Sequence, residues 1–302
     1  MKLSCLINSH NYIDYVGEAI DSALAQELPF DEVIVVDDGS TDGSAQWLQQ
    51  TYQENPQVQV IAKPQAGQLS CFHRGIEGAS GDVVFFLDAD DRFHPTMTLR
   101  AADIYQSHGH VDFLSVGFEE FGGDHRGRRQ QTRTRDRGLS VLGVLLHRLW
   151  IGNPTSCLSM RSDLCRRILP FPFESEWITR ADDVLIFGAS LLAGHKYHLE
   201  EPLVEYRIHD SNHHARRKLR QSDKLQYAYR VNRMIGWYVR EMGYDREALA
   251  YLLPREFRTI EKPNWREFRQ YCRMTSRARL PLLTRIEQVA AMAAHYAKER
   301  RK

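Results

Sequence analysis

Short runs of β-branched and aromatic residues alternate with helical stripes through the first third of the chain. Leu3 to Asn8 reads as a strand ending in the polar Asn8-Ser9-His10-Asn11. Val16, Ala19, Ile20, Ala23 and Leu24 then recur at helical spacing, and Pro29 limits how far that helix can run. Val33 to Val36 predicts a second strand, which delivers Asp37-Asp38-Gly39-Ser40-Thr41-Asp42-Gly43-Ser44. Ser44 is placed to cap a second helix with Trp47 and Leu48 on its inner face. Gln57 to Ala62 gives a third strand, and Gln65-Ala66-Gly67-Gln68 turns into a helix over Leu69 to Ala79. Val83-Val84-Phe85-Phe86-Leu87 follows, an unbroken apolar run typical of a strand covered on both faces. The alternation predicts an α/β fold: a mainly parallel sheet with helices on both faces. Ligands of such sheets bind beyond the carboxyl ends of the strands. Residues 8–11, 37–38 and 88–91 are therefore expected in one cleft.

Farther along, Val111 to Phe118 reads as another strand. Glu119 to Gly138 carries Arg126, Arg128, Arg129, Arg133, Arg135 and Arg137 with almost nothing apolar, which predicts an exposed, mobile loop. Leu139 to Leu149 is an apolar helix. The texture changes near residue 215. Tyr227, Val231, Met234, Ile235, Tyr238 and Val239 form one helical stripe, and Leu282, Leu283, Ile286, Val289, Ala290 and Ala293 another. The expected organisation is an α/β unit over 1–213, in halves 1–110 and 111–213, and a helical extension over 214–302. Its helices would pack on the α/β unit or on a second copy, as in a homodimer.

The 302 residues carry a net charge of +1, which hides a division. Residues 214–302 hold 22 Lys and Arg against 9 Asp and Glu, a balance of +13; the remainder holds 18 against 30, or −12. An acidic front suits a metal site, and a basic tail suits an anionic surface, including the inner face of a membrane. The tail has no nucleic-acid motif, and its aromatic residues fit core positions, so nucleic acid is not expected. No apolar run approaches the roughly 20 residues that span a bilayer. The first apolar run is too short for a signal peptide. Cys5, Cys71, Cys157, Cys165 and Cys272 are scattered and form no C-x-x-C pair, which predicts neither a disulfide framework nor a zinc site. A reducing cytoplasm is the expected setting.

The concentrated chemistry is Asp88-Ala89-Asp90-Asp91. Asp88 and Asp90 point to the same side of an extended segment, and carboxylates that close repel unless a cation lies between them. Hard oxygen ligands suit Mg²⁺ or Mn²⁺ carrying a substrate phosphate. A solvated acidic turn would show the same residues. No G-x-G-x-x-G follows the first strand and no P-loop occurs, so phosphate binding would fall to a metal.

Val33 to Ser44, with Phe86-Leu87-Asp88-Ala89-Asp90-Asp91 and the helix ending Ser22-Ala23-Leu24-Ala25-Gln26, resembles the inverting family 2 glycosyltransferases of the GT-A fold. Trp150 to Ser156, Asp182-Asp183 and Pro202-Leu203-Val204-Glu205-Tyr206-Arg207-Ile208-His209 continue the likeness in order. The resemblance covers roughly residues 1–213 and gives 1–110 the nucleotide and metal, and 111–213 the acceptor. It implies Asp38 on the ring N–H of a uracil-type base, with Asn8 and His10 beside that base. It implies Gly67, Gln68 and Gly75 in the segment lining the nucleotide pocket. Asp88 would touch ribose or metal, and Asp90 would hold the metal. His209 could complete the metal shell, while Arg207 could meet phosphate. Asp183 aligns with the family's catalytic base, and Asp182 stands where its usual Glu lies. The implied activity is a metal-dependent, inverting transfer of a sugar from a nucleotide diphosphate, UDP-sugars being commonest, to a hydroxyl of a saccharide or lipid-linked acceptor in polysaccharide or glycoconjugate synthesis. A non-catalytic nucleotide-sugar-binding protein on the same fold is the alternative.

Overall fold

A computed structural model describes residues 1–122, 128–129, 133–169, 171–209 and 220–300. The first half runs β1 (Leu3–Ser9), α1 (Val16–Leu24), β2 (Glu32–Asp38), α2 (Ser44–Tyr52), β3 (Val58–Lys63), α3 (Gln68–Gly78), β4 (Val83–Asp88), β5 (Arg92–Phe93) and α4 (Met97–Ser107). Next come β6 (Phe113–Phe121), β7 (Arg128–Arg129), β8 (Arg135–Gly138), α5 (Val141–His147), β9 (Leu158–Arg161), α6 (Ser162–Ile168), α7 (Asp182–Leu191) and β10 (Lys196–Arg207). The chain finishes with α8 (Gln221–Glu241), α9 (Arg246–Ala250), α10 (Leu253–Phe257), α11 (Trp265–Arg277) and α12 (Leu282–Glu299).

One sheet has the order β3-β2-β1-β4-β9-β6-β10-β5, with β7 added on β6 and β8 on β10. β1 pairs in parallel with β2 and β4, β2 with β3, and β6 with β10. β9 enters antiparallel between β4 and β6. Period-2 alternation sends Leu6 into the core on one face of the sheet, and Leu3, Cys5 and Ile7 into the core on the other. Val83 to Leu87 are sealed from solvent. Each side chain of that kind contributes about 1.5–3 kcal/mol when fully buried, so β4 has a fixed place and its carboxyl end a fixed direction. That is the α/β architecture expected from the alternation, with helices on both faces.

Several local expectations change. Ser44 is the first residue of α2, not its cap: Gly43 takes the cap position in left-handed backbone, while the Asp42 carboxylate accepts from the Ser44 N–H. The arginine-rich segment is not wholly a loop. β6 runs on to Phe121, and β8 pairs antiparallel with β10, burying Asp136. Sheet hydrogen bonding and a partnered carboxylate, not apolar burial, hold that strand. Residues 123–127 and 130–132 lie outside the described ones. In α12 the expected stripe is rotated: Met292 and Gln288 are buried, while Leu282, Leu283 and Ile286 are 72%, 68% and 58% exposed.

The helices after β10 are not a loose tail. Val231, Met234, Ile235 and Tyr238 of α8 join the core that contains Leu6, Phe72 and Phe86. A smaller core joins Leu142 of α5 to Leu253, Phe257, Tyr271 and Met292. All five cysteines are free. Among the described residues no helix is long and apolar enough to cross a membrane.

Candidate active site

A cleft of about 400 Å³ opens at the carboxyl ends of β1, β2 and β4. It gathers Asn8, His10, Asp38, Gln68, Asp88 and Asp90, together with Tyr12, Gln65, Thr179, Arg180 and Tyr206. A wider groove of about 1160 Å³ lies on the far side of Ile178. Its wall carries the His73–Glu174 pair and none of the strand-end aspartates.

On the β2 side, the Asp38 carboxylate accepts from the backbone N–H of Ala66 at 2.8 Å and of Gly67 at 2.7 Å, and pairs with Lys63. A carboxylate offers about four lone-pair sites, so room for a further donor remains. Gly67 is required here. Its φ is +96°, and a Cβ would sit 2.4 Å from the Ile178 Cα. That close approach lets Gln68 N–H donate to the Ile178 carbonyl at 2.9 Å. The His10 ring sits 2.8 Å from the Asp38 carbonyl through Nδ1 and 3.1 Å from Gln65 through Nε2. Gly75 lies away from the cleft. It is where α3 crosses β1, with the Leu6 side chain 2.2 Å from where a Cβ would be.

At the end of β4, Asp88 accepts from Gln68 at 2.9 Å. Burial and then the Asp90 charge push the Asp88 carboxyl up to about 7. Asp91 is raised too, by burial and then by its two neighbours. Asp91 turns inward: it accepts from Ser156 at 2.6 Å and from the Arg207 N–H at 2.8 Å, tying β4 to β10. Asp90 faces His209, with Nε2 to Oδ2 at 2.9 Å, and the His209 ring lies edge-on to Tyr12. The Arg207 guanidinium is held in the wall. It donates to the Asp90 carbonyl at 2.7 Å and to Glu18 at 2.7 Å, and lies over the Tyr15 and Phe121 rings. Asn8 Oδ1 is buried without a hydrogen-bond partner in the same wall.

The Asp182-Asp183 pair opens α7, and the Ala181 N–H before it donates to Gln68 at 2.9 Å. Asp182 is half-buried, and burial, then the charges of Asp183 and Asp88, push it up to about 8. Asp183 is sealed from solvent. Its oxygens accept from Trp150 Nε1 at 2.7 Å, Tyr227 hydroxyl at 3.0 Å and Arg180 Nε at 3.1 Å. The Arg180 guanidinium also lies 4.3 Å from the Tyr227 ring centroid. On the outer side of this cluster, Arg148, Trp150, Tyr227 and Asn232 line a second hollow of about 410 Å³.

Asn8, His10, Asp38, Gln68, Asp88, Asp90 and His209 thus share one place, with Gly67 supporting it through its backbone. Asp182 looks toward Asp88, and Asp183 sits behind it. Tyr12 carried no signal in the sequence, Tyr206 was legible only as a position of the Pro202-to-His209 motif, and Tyr227 only as part of a helical stripe. Arg180, three residues before Asp183, was the hint readable in the sequence; the structure places it in left-handed backbone at φ +64°.

Aspartates gather beyond the strand ends of this mainly parallel sheet, and the fold is that of a GT-A type glycosyltransferase. The chain belongs to glycosyl transferase family 2, whose profile matches residues 4–169. An uncharacterized glycosyltransferase of Nostoc sp. is 32% identical over 71% of this chain and 67% of its own length. Chondroitin synthase of Pasteurella multocida is 33% identical, but over 31% of this chain and only 10% of the synthase. Among solved structures, S. aureus TarS 1–349 in complex with UDP-GlcNAc superposes with a TM-score of 0.64 at 21% identity, covering 100% of this chain and 92% of TarS 1–349.

Proposed function

We propose that this glycosyltransferase uses a nucleotide diphosphate sugar, with UDP-sugar as the favoured donor, and transfers the sugar with inversion to a hydroxyl in polysaccharide or glycoconjugate synthesis. The carrying observation is the strand-end cluster: Asp88 and Asp90 crowd one buried place, next to His209 and in the same cleft as Asp38. UDP and UDP-GlcNAc in the TarS complexes support the donor class.

The residues fit a divalent cation. Burial and repulsion have raised Asp88 toward neutrality, and a cation would offset the repulsion by supplying opposite charge. Carboxylate oxygens with one imidazole suit Mn²⁺ or Mg²⁺, held by Asp90, Asp88 and His209. When bound, such an ion neutralises charge on the departing diphosphate.

In this reading Asp38 orients the base, with Asn8 and His10 beside it, and Gly67 and Gln68 shape the nucleotide pocket. Asp183 takes the proton of the acceptor hydroxyl. The Tyr227 hydroxyl already donates to Asp183, so an acceptor hydroxyl would have to replace it as a donor. Asp182, with its raised proton affinity, is the neighbouring group that sets the proton balance. Residues 1–213 act as the catalytic part, and 214–302 as an extension completing the acceptor side. The Leu282, Leu283 and Ile286 face beside Arg279 and Arg285 supports peripheral contact with an anionic membrane.

Turnover of UDP-sugars with Mn²⁺ tests the whole reading. Release of UDP that requires Mn²⁺ and stops in Asp90→Asn supports it; metal-independent transfer overturns the cation's part. A greater loss of turnover in Asp182→Asn than in Asp183→Asn would move the base to Asp182.

A further inference from the structure

The described part of the arginine-rich segment has two faces, and the cleft uses neither. Side chains alternate along a strand, so Arg135 and Arg137 of β8 point one way and Asp136 the other. On the Asp136 side, two histidines far apart in sequence converge on one buried carboxylate. His195 Nε2 lies 2.6 Å from Asp136 Oδ1, and His110 Nε2 lies 3.1 Å from Oδ2. The two imidazoles meet edge to face at 4.4 Å. We propose that His110, Asp136 and His195 form a second metal site, for a zinc-class divalent ion, that clips β8 to the amino-terminal ends of β6 and β10.

The donor chemistry and the spacing both fit. Two imidazole nitrogens and a carboxylate oxygen are a common zinc set, with bonds of about 2.0–2.2 Å that put ligand atoms about 3.3 Å apart around a tetrahedral ion. Here the three ligand atoms all lie within 4.8 Å of one another. His110 is 53% exposed, so its ring can swing outward to admit the ion and leave the fourth position to water. The carboxylate is already oriented, because Oδ1 also accepts from the Gly138 N–H at 2.7 Å. Such supporting bonds are what tune metal ligands.

The site lies at the opposite end of the parallel strands from the cleft, so its ion is distinct from the one proposed at Asp90. Its consequence reaches the acceptor side through β8. Arg135 and Arg137 line a pocket of about 590 Å³ that also includes Trp150, whose indole holds Asp183. Fixing Asp136 fixes that wall.

The test uses untagged full-length protein carrying Asp90→Asn, stripped of metal and titrated with Zn²⁺ by calorimetry. The expected result is one Zn²⁺ per chain, a rise in melting temperature with Zn²⁺, and the visible spectrum of tetrahedral Co²⁺ when Co²⁺ replaces it. Adding His110→Ala or His195→Ala should weaken binding by more than about tenfold and remove the temperature rise. His110→Ala alters an exposed ring, and an unchanged metal-free melting temperature shows that its fold is intact. No Zn²⁺ uptake in Asp90→Asn overturns the proposal, as does uptake that survives both histidine substitutions. Neither readout depends on glycosyl transfer, so failure of that reading leaves this result interpretable.

Discussion

At the scale of single residues, the cleft holds like charges together. Asp88 and Asp90 could both ionise freely in water, but burial beside each other raises Asp88. Asp90→Asn should therefore lose metal-dependent nucleotide binding and with it most turnover. Asp183→Asn should keep nucleotide affinity, checked by calorimetry with UDP and Mn²⁺, while turnover falls by about 10²–10⁴-fold, the usual share of a general base. Stability carries the same signature. Folded Asp182 keeps its proton to about 8 against an ordinary 3.8, so between those values the folded state binds the extra proton. Stability from this group is full below the lower value and falls as pH rises through the window. Metal-free Asp182→Asn should therefore gain on the parent between about pH 5 and about pH 8. Urea unfolding at both ends of that range measures the difference.

At the scale of elements, the site depends on how closely helices and loops approach the sheet. α3 crosses β1 at Gly75, where a Cβ would fall 2.2 Å from Leu6 Cδ1. Gly75→Ala overpacks that crossing and should cost about 1–3 kcal/mol, read as a lower urea midpoint with unchanged slope. The turn before α3 is legible for the same reason: Gly67 followed by a helical pattern marks a tight entry. By contrast, β8 was invisible. Its residues are charged, and it exists because β10 offers it an edge and because Asp136 finds partners from residues 110 and 195.

Across the whole molecule, α8 joins the core that backs β1 and β4, and Tyr227 reaches Asp183. Deleting residues 221–302 should strip one face of that core and abolish cooperative melting, not merely remove an accessory. Calorimetric scanning of the shortened chain checks this, and a single sharp transition would refute it. The apolar corner of α12 makes a separate prediction. The protein should sediment with anionic vesicles at low salt, and Leu283→Asp should weaken that association while donor turnover persists.

By itself, the sequence determined the alternating strands and helices, the family likeness and the strand-end aspartates. Those features are written locally: period, apolar runs and short motifs reflect backbone preference and burial along one segment. The tertiary structure alone decided that Asp91 faces inward, onto Ser156 and the Arg207 N–H. It also decided that three donors surround Asp183, one of them from a helix beyond the motif-bearing region, and that His110, Asp136 and His195 converge. Each of those arrangements joins residues distant in the chain, so no local pattern could carry it.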